Sequence, residues 1–219
     1  MKKRNFKLLL FFFCFVVVSY FIGCKYDYQK DKSSEDLLSF YKEQSASTNP
    51  FEYLSMYEKV DGSVKNTCEL IKKQLIHPME AKEMKDILPE GRYYEDADFP
   101  VVYDMLKELN YRNPVGLTAT RKANERLVVA CHHHGLLLAS ILRSKGIPAR
   151  IRAGFARYYE KQAGVRFGHV ICEVWSEEEQ RWMLIDPDRN MVDFSPKKFE
   201  FSQDAWRNLR ENQAGRVKY

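Results

Sequence analysis

The sequence predicts an α+β fold in which one apolar helix packs on an antiparallel sheet, behind a helical N-terminal part. Three observations predict it. Residues 131–145 carry Leu137, Leu138, Ile141 and Leu142 at helical spacing. Three segments with strand character follow directly, 149–159, 169–175 and 181–186, the last two joined by the short polar stretch 176–180. Upstream, several short helical patterns are punctuated by Asn49-Pro50, Pro89-Glu90-Gly91 and Asn113-Pro114. A helix followed by strands in series, with no helix between them, indicates antiparallel pairing.

The elements are taken in chain order. The chain opens with Lys2, Lys3, Arg4 and Lys7, has no acid before Asp27, and runs LLLFFFCFVVVSYFIG from Leu8 to Gly23. Sixteen mostly apolar residues fall short of the roughly 20 that a membrane span needs. They slightly exceed the roughly 7–15 of a secretory h-region, so the end of the run decides. It ends Phe21-Ile22-Gly23-Cys24 and turns polar at once. This resembles the lipobox of bacterial lipoproteins, which implies cleavage before Cys24, lipidation of Cys24, and a membrane-anchored place in the cell envelope, on its periplasmic or surface face. An uncleaved signal-anchor with its basic side in the cytoplasm is the alternative. Residues 1–23 are then a signal peptide with lipobox and 24–35 a polar tether. Residues 36–219 form one domain, helical over 36–115 and with its core over 116–219.

Helical patterns occupy 35–43, 51–57, 63–75, 78–87 and 101–109. The helix from Cys131 ends at Gly146, with Pro148 beyond it, a sound stop. In 149–159, Ile151, Ala153 and Phe155 share one face, and Arg150 and Arg152 the other. In 169–175, Val170, Cys172 and Val174 share a face.

The 219 residues are 45% hydrophobic and 14% aromatic, enough to bury a core and too apolar for a disordered chain. The net charge of +5 comes mostly from the leader: without its four bases the 35 Lys and Arg fall to 31, against 30 acids. A near-neutral remainder has no general electrostatic reason to bind nucleic acid.

Cys131 sits at a predicted helix start, where unpaired N–H groups and the helix dipole favour a thiolate. His169 begins a strand and Asp186 ends the next. With the turn centred near Glu177–Glu178, His169 falls opposite Asp186 or its neighbour, with Cβ atoms about 4.5–5.5 Å apart. A carboxylate there can fix the tautomer that presents the other imidazole nitrogen to a thiol, as nucleophilic catalysis requires. Taken singly, Cys131 reads equally as a core thiol, His169 as a surface residue and Asp186-Pro187-Asp188 as a turn.

The stretch RLVVACHHHGLLLASILRSKGIPARIRAGFARYY from Arg126, with HVICEVW from His169 and RWMLIDPD from Arg181, resembles the core of the transglutaminase-like superfamily. The likeness covers 126–188, with a weaker one at 201–206. It implies a papain-like α+β core with Cys131 as nucleophile, His169 as base and Asp186 as the orienting acid. It also implies amide chemistry through a thioester on a peptide or protein substrate, and favours hydrolysis over crosslinking. The backbone N–H of Cys131 is the natural oxyanion donor, and Asn124 is the candidate upstream side chain.

Cys68 and Cys172 are left over; a bridge between them is one pairing open to an oxidising compartment. His132, His133 and His134 point about 100° apart on a helix, so they cannot all bind one ion, and neither metal nor other cofactor is expected. Arg143, Arg150, Arg152 and Arg157 are candidates for an acidic-substrate groove. The sequence thus leads to an exported, lipid-anchored cysteine enzyme. A surface module that keeps the fold for binding alone is the alternative.

Overall fold

The computed structural model describes residues 34–84, 86–160 and 165–211. The expected signal peptide, Cys24 and the tether as far as residue 33 lie outside the described residues. The chain divides into Met1–Leu37, of which Ser34–Leu37 are described, and Leu38–Tyr219. Among the described residues no helix is long and apolar enough to cross a membrane.

Helix α1, Ser34–Lys42, has Glu35 and Asp36 in its first turn and Lys42 in its last, the arrangement a helix dipole favours. Residues Phe51–Tyr57 form a 3₁₀ helix. Its Tyr57 is buried and its hydroxyl bonds the Ser140 hydroxyl at 2.8 Å. Helix α2, Val64–Lys72, is capped by Ser63 and buries Thr67, Cys68, Leu70 and Ile71. The expected helix over 63–75 is therefore too long, because Leu75 and Ile76 leave it as strand β1. Helix α3, Pro78–Ala81, is a single turn continued by a 3₁₀ turn, Lys82–Met84, shorter than the expected 78–87. Helix α4 spans Val102–Arg112.

Strand β1 pairs in parallel with β2, Leu127–Val128, with Leu75 against Leu127 and Ile76 against Val128. This pairing was not expected. It joins segments about fifty residues apart, and two-residue strands leave no alternation to read. Its consequence is local: parallel strands exit on the same side, so the chain after β1 (His77) and the chain after β2 (towards Cys131) emerge together.

Helix α5, Cys131–Ser144, follows, then Gly146 at φ 74°, a left-handed conformation that glycine adopts without steric cost. Strands β3 (Ala149–Ala156), β4 (Gly168–Ser176), β5 (Arg181–Asp186), β6 (Met191–Val192) and β7 (Phe199–Phe201) form one antiparallel sheet in the order β6-β5-β4-β3-β7. Helix α6, Ser202–Arg210, closes the described chain. The fold is mixed α+β, as expected, with β6 and β7 added to the sheet. β7 approaches β3 so closely that a Cβ on Gly154 would stand 2.3 Å from the Glu200 carbonyl oxygen.

The β4–β5 register differs from expectation. Ser176 pairs with Arg181, so the loop is 177–180 and the turn centre moves one residue along. Gln180 takes φ 51°, and its side-chain amide donates to the Glu177 carbonyl at 2.7 Å, which closes the four-residue loop. Cys172 lies against Ile185. Continued, that register sets Asp186 against Ile171, diagonal to His169, a separation long side chains still bridge.

The main core joins Cys68, Ile71, Met105, Leu106 and Leu109 of α2 and α4 to Leu137, Leu138 and Ile141 of α5, and to Cys172, Val174 and Ile185 of the sheet. The helical part and the sheet therefore share one core. Burial of this kind stabilises at roughly 25 cal/mol per Å² of apolar surface.

Candidate active site

The first turn of α5 is held from outside the helix. Glu95 accepts a hydrogen bond from the Val128 N–H and Asp96 from the Ala130 N–H, both at 2.8 Å. Arg92 and Arg112 pair with Glu95 in turn. These acids fix the approach to Cys131, which is the first residue of α5 and half-buried. Ala130, at the cap position, offers no side-chain acceptor, and its backbone carbonyl accepts the His133 N–H at 3.0 Å.

His169 enters on β4 and is buried. Its Nε2–H donates to Asp186 Oδ2 at 2.8 Å, which turns Nδ1 towards the Cys131 thiol. Asp186 is fully buried at the end of β5 and also accepts from the Tyr158 hydroxyl and the Arg189 N–H. Burial alone would raise its carboxyl, but the bond to His169, the charge of His169 and the bonds from Tyr158 and the Arg189 N–H together outweigh this and hold it below the usual range. Burial likewise disfavours a charged His169, yet the bonds to Asp186 and Cys131 raise its pKa to about 10. Burial raises the Cys131 thiol, while hydrogen bonds from His169 and His77 lower it further, to about 7. Between these two values the charges favour a thiolate beside an imidazolium. The structure thus brings together the three residues singled out in the sequence.

It adds two others. His77 stands as the N-cap of α3, its Nδ1 accepting the Met79 N–H at 3.2 Å, with Pro78 in the first turn where no N–H is needed. The same side chain interacts with the Cys131 thiol. Burial lowers its pKa, but Cys131 and Asp188 together raise it. Asp188 is buried, its Oδ2 3.9 Å from His77 Nε2 and 3.4 Å from the Tyr159 hydroxyl, its Oδ1 3.7 Å from Lys72 Nζ. The Asp186-Pro187-Asp188 segment therefore serves two histidines on either side of one cysteine. His77-Pro78 carried a local signal, that of a helix cap, but nothing in the sequence tied it to Cys131. Asn124 lies in the 3₁₀ turn Ala123–Glu125, where its carbonyl accepts from Arg92; the upstream side chain that interacts with the thiol is His77.

The histidines after Cys131 diverge. His133 Nε2 bonds the Phe99 carbonyl, and His134 Nδ1 bonds the Ala130 carbonyl. Burial lowers the His134 pKa to about 4 and so keeps it neutral. Among the described residues, His169, Asp186 and Asp188 do bring one ligand atom each within 4.8 Å of one another. An ion there would displace the His169–Asp186 hydrogen bond. Cys68 and Cys172 are free and buried, so the pairing left open above does not form, and burial pushes the Cys68 thiol to about 12 and Cys172 well above its ordinary value.

A cavity of about 510 Å³ opens beside His132, lined by Arg143, Arg150 and Arg152 along with Ser45 and Thr48. Arg150 and Arg152 share the carboxylate of Glu173. Arg143 donates to the Ala149 and Glu43 carbonyls, neutral acceptors, so the cavity keeps a positive excess. Arg157 does not line it and lies 3.9 Å from Glu200.

Residues 99–187 match the family model of the transglutaminase-like superfamily. The match takes in Cys131, His169 and Asp186, and it ends short of Asp188 and begins after His77. No curated protein and no solved structure gives a match.

Proposed function

From the match of residues 99–187, which supports membership of the transglutaminase-like superfamily, we propose that the chain is a cysteine acyl-transfer enzyme acting on amide bonds of peptides or proteins, with hydrolysis as its main outcome. The observation that carries this reading is the 2.8 Å hydrogen bond from His169 Nε2–H to Asp186 Oδ2, on an imidazole that also interacts with the Cys131 thiol. Cys131 as thiolate attacks the amide carbon, and the carbonyl π pair moves to oxygen. The Cys131 N–H at the start of α5 is the natural donor to that oxyanion. The tetrahedral species collapses, the C–N bond breaks, and the departing nitrogen takes the proton from His169 Nδ1. A water then gives its proton to the same nitrogen and attacks the thioester, and the product acid leaves as the thiolate returns. Asp186 keeps its charge throughout and orients the ring. The positive cavity beside His132 favours substrates with an acidic group near the scissile bond.

Incubation with p-nitrophenyl acetate should place an acetyl group on Cys131, visible as a mass increase on its peptide and removed by hydroxylamine as the hydroxamate. Cys131→Ala should carry none. Added amines competing with water for the thioester would measure transfer against hydrolysis. If folded wild-type protein gains no acetyl group on Cys131, the enzyme reading fails and a binding module takes its place.

The proposal extends to export as a lipoprotein, resting on Ile22-Gly23-Cys24 after the apolar run. Radiolabelled fatty acid should enter the wild-type chain and be absent from Cys24→Ala. Equal labelling of the two would leave the signal-anchor.

A further inference from the structure

We infer that His77 is a second oxyanion donor, acting beside the Cys131 N–H, and that Asp188 positions it. The inference rests on the acyl-transfer reading and concerns residues outside the matched segment 99–187.

Four observations carry it. The parallel β1–β2 pair delivers His77 and the approach to Cys131 from the same strand ends. The imidazole contacts the Cys131 thiol. Its tautomer is set by the helix cap: Nδ1 accepts the Met79 N–H, so in the neutral ring the proton is on Nε2. Finally, the buried Asp188 carboxylate lies 3.9 Å from that Nε2. This is too long for a hydrogen bond but close enough to hold the N–H end of the ring in the site by its charge.

The donor therefore lies next to the attacking sulfur, on a group that has no need to lose its proton. When Sγ bonds the carbonyl carbon, the oxygen that gains the π pair lies beside Sγ. His77 Nε2–H then donates to that oxygen. No proton leaves His77; the one the leaving nitrogen takes comes from His169.

Two other roles would produce the same contacts. His77 could serve only as the cap of α3, or only as a second partner of the thiolate. The variants separate the first role. His77→Asn keeps an acceptor near the position of Nδ1 for the Met79 N–H and removes the Nε2 donor; His77→Gln restores an amide N–H near the position of Nε2. The probes separate the second. p-Nitrophenyl acetate generates an oxyanion when it acylates Cys131, whereas iodoacetamide alkylates the same sulfur by displacement and generates none.

The full-length chain is assayed with both probes, each followed to its rate plateau at high pH. His77→Asn should slow acylation about 10²–10³-fold, the cost of losing one oxyanion donor. Its plateau alkylation rate should stay within about threefold of wild type, and His77→Gln should recover part of the acylation rate. Asp188→Asn should slow acylation less than His77→Asn does. Equal slowing of both reactions, or wild-type acylation by His77→Asn, would overturn the inference and leave the acyl-transfer reading standing. A wild-type chain whose Cys131 alkylates but never acylates would overturn both.

Discussion

Asp186→Asn should keep the fold and slow hydrolysis of p-nitrophenyl acetate by about 10⁴-fold, the loss seen when the orienting aspartate of a catalytic triad becomes an amide. Asp186 is fully buried and receives three donors: His169 Nε2, the Tyr158 hydroxyl and the Arg189 N–H. An asparagine has one acceptor oxygen in place of two. If its NH₂ faces His169, Nε2 must become the acceptor, and the ring proton moves to Nδ1. Neutral His169 then meets the Cys131 thiol with a donor and cannot take its proton. The charge that raises His169 to about 10 is lost as well.

The pH profile carries the same sign. In wild type, kcat/KM should rise as Cys131 deprotonates through about pH 7 and fall as His169 loses its proton through about pH 10. In Asp186→Asn the falling limb should move to lower pH, since the carboxylate that favours the imidazolium is gone. Near-normal turnover in a folded variant would remove Asp186 from the mechanism.

The second large effect is selective alkylation. At about pH 7 half of Cys131 is thiolate, whereas Cys68, at about 12, is ionised in only about one molecule in 10⁵. A less basic thiolate is also a weaker nucleophile, by about 10² over this interval, which offsets part of the difference. About a hundredfold or more remains in favour of Cys131. Burial widens it, because Cys68 and Cys172 are fully buried while Cys131 is half-exposed. Iodoacetamide followed by peptide mass analysis should therefore find Cys131 modified first. His169→Ala should shift the midpoint of its rate–pH curve upward, since it removes a cationic partner. Labelling of Cys68 or Cys172 ahead of Cys131 in folded protein would contradict the placement of the thiol.

The parts of the site legible in the sequence were those carried by local periodicity. Leu137, Leu138, Ile141 and Leu142 marked α5, and alternation marked β3, β4 and β5. These elements already set Cys131 at a helix start, His169 at a strand start and Asp186 at a strand end. A helix or strand face repeats every few residues, so a dozen neighbours suffice to reveal it. Register was harder. The position of Asp186 relative to His169 depended on where the 177–180 loop closed, and that depended on the left-handed backbone of Gln180, which is not a residue that announces such a conformation.

Residues 126–188 by themselves determined where Cys131, His169 and Asp186 stand in their elements, because each lies at the end of an element whose pattern is written in its own neighbours. Only the tertiary structure decided what surrounds them. β1 and β2 are two residues each and pair across about fifty intervening residues, with no local pattern to announce them. Burial holds them: Leu75 and Leu127 lie in the main core, and Ile76 and Val128 in a smaller cluster with Ala81 and Leu88. Yet that pairing brings His77 to the Cys131 thiol, and the turn after β5 gives His77 the carboxylate of Asp188. Contacts of this kind depend on how separate segments pack, and burial, which acts between them, leaves no period along the chain.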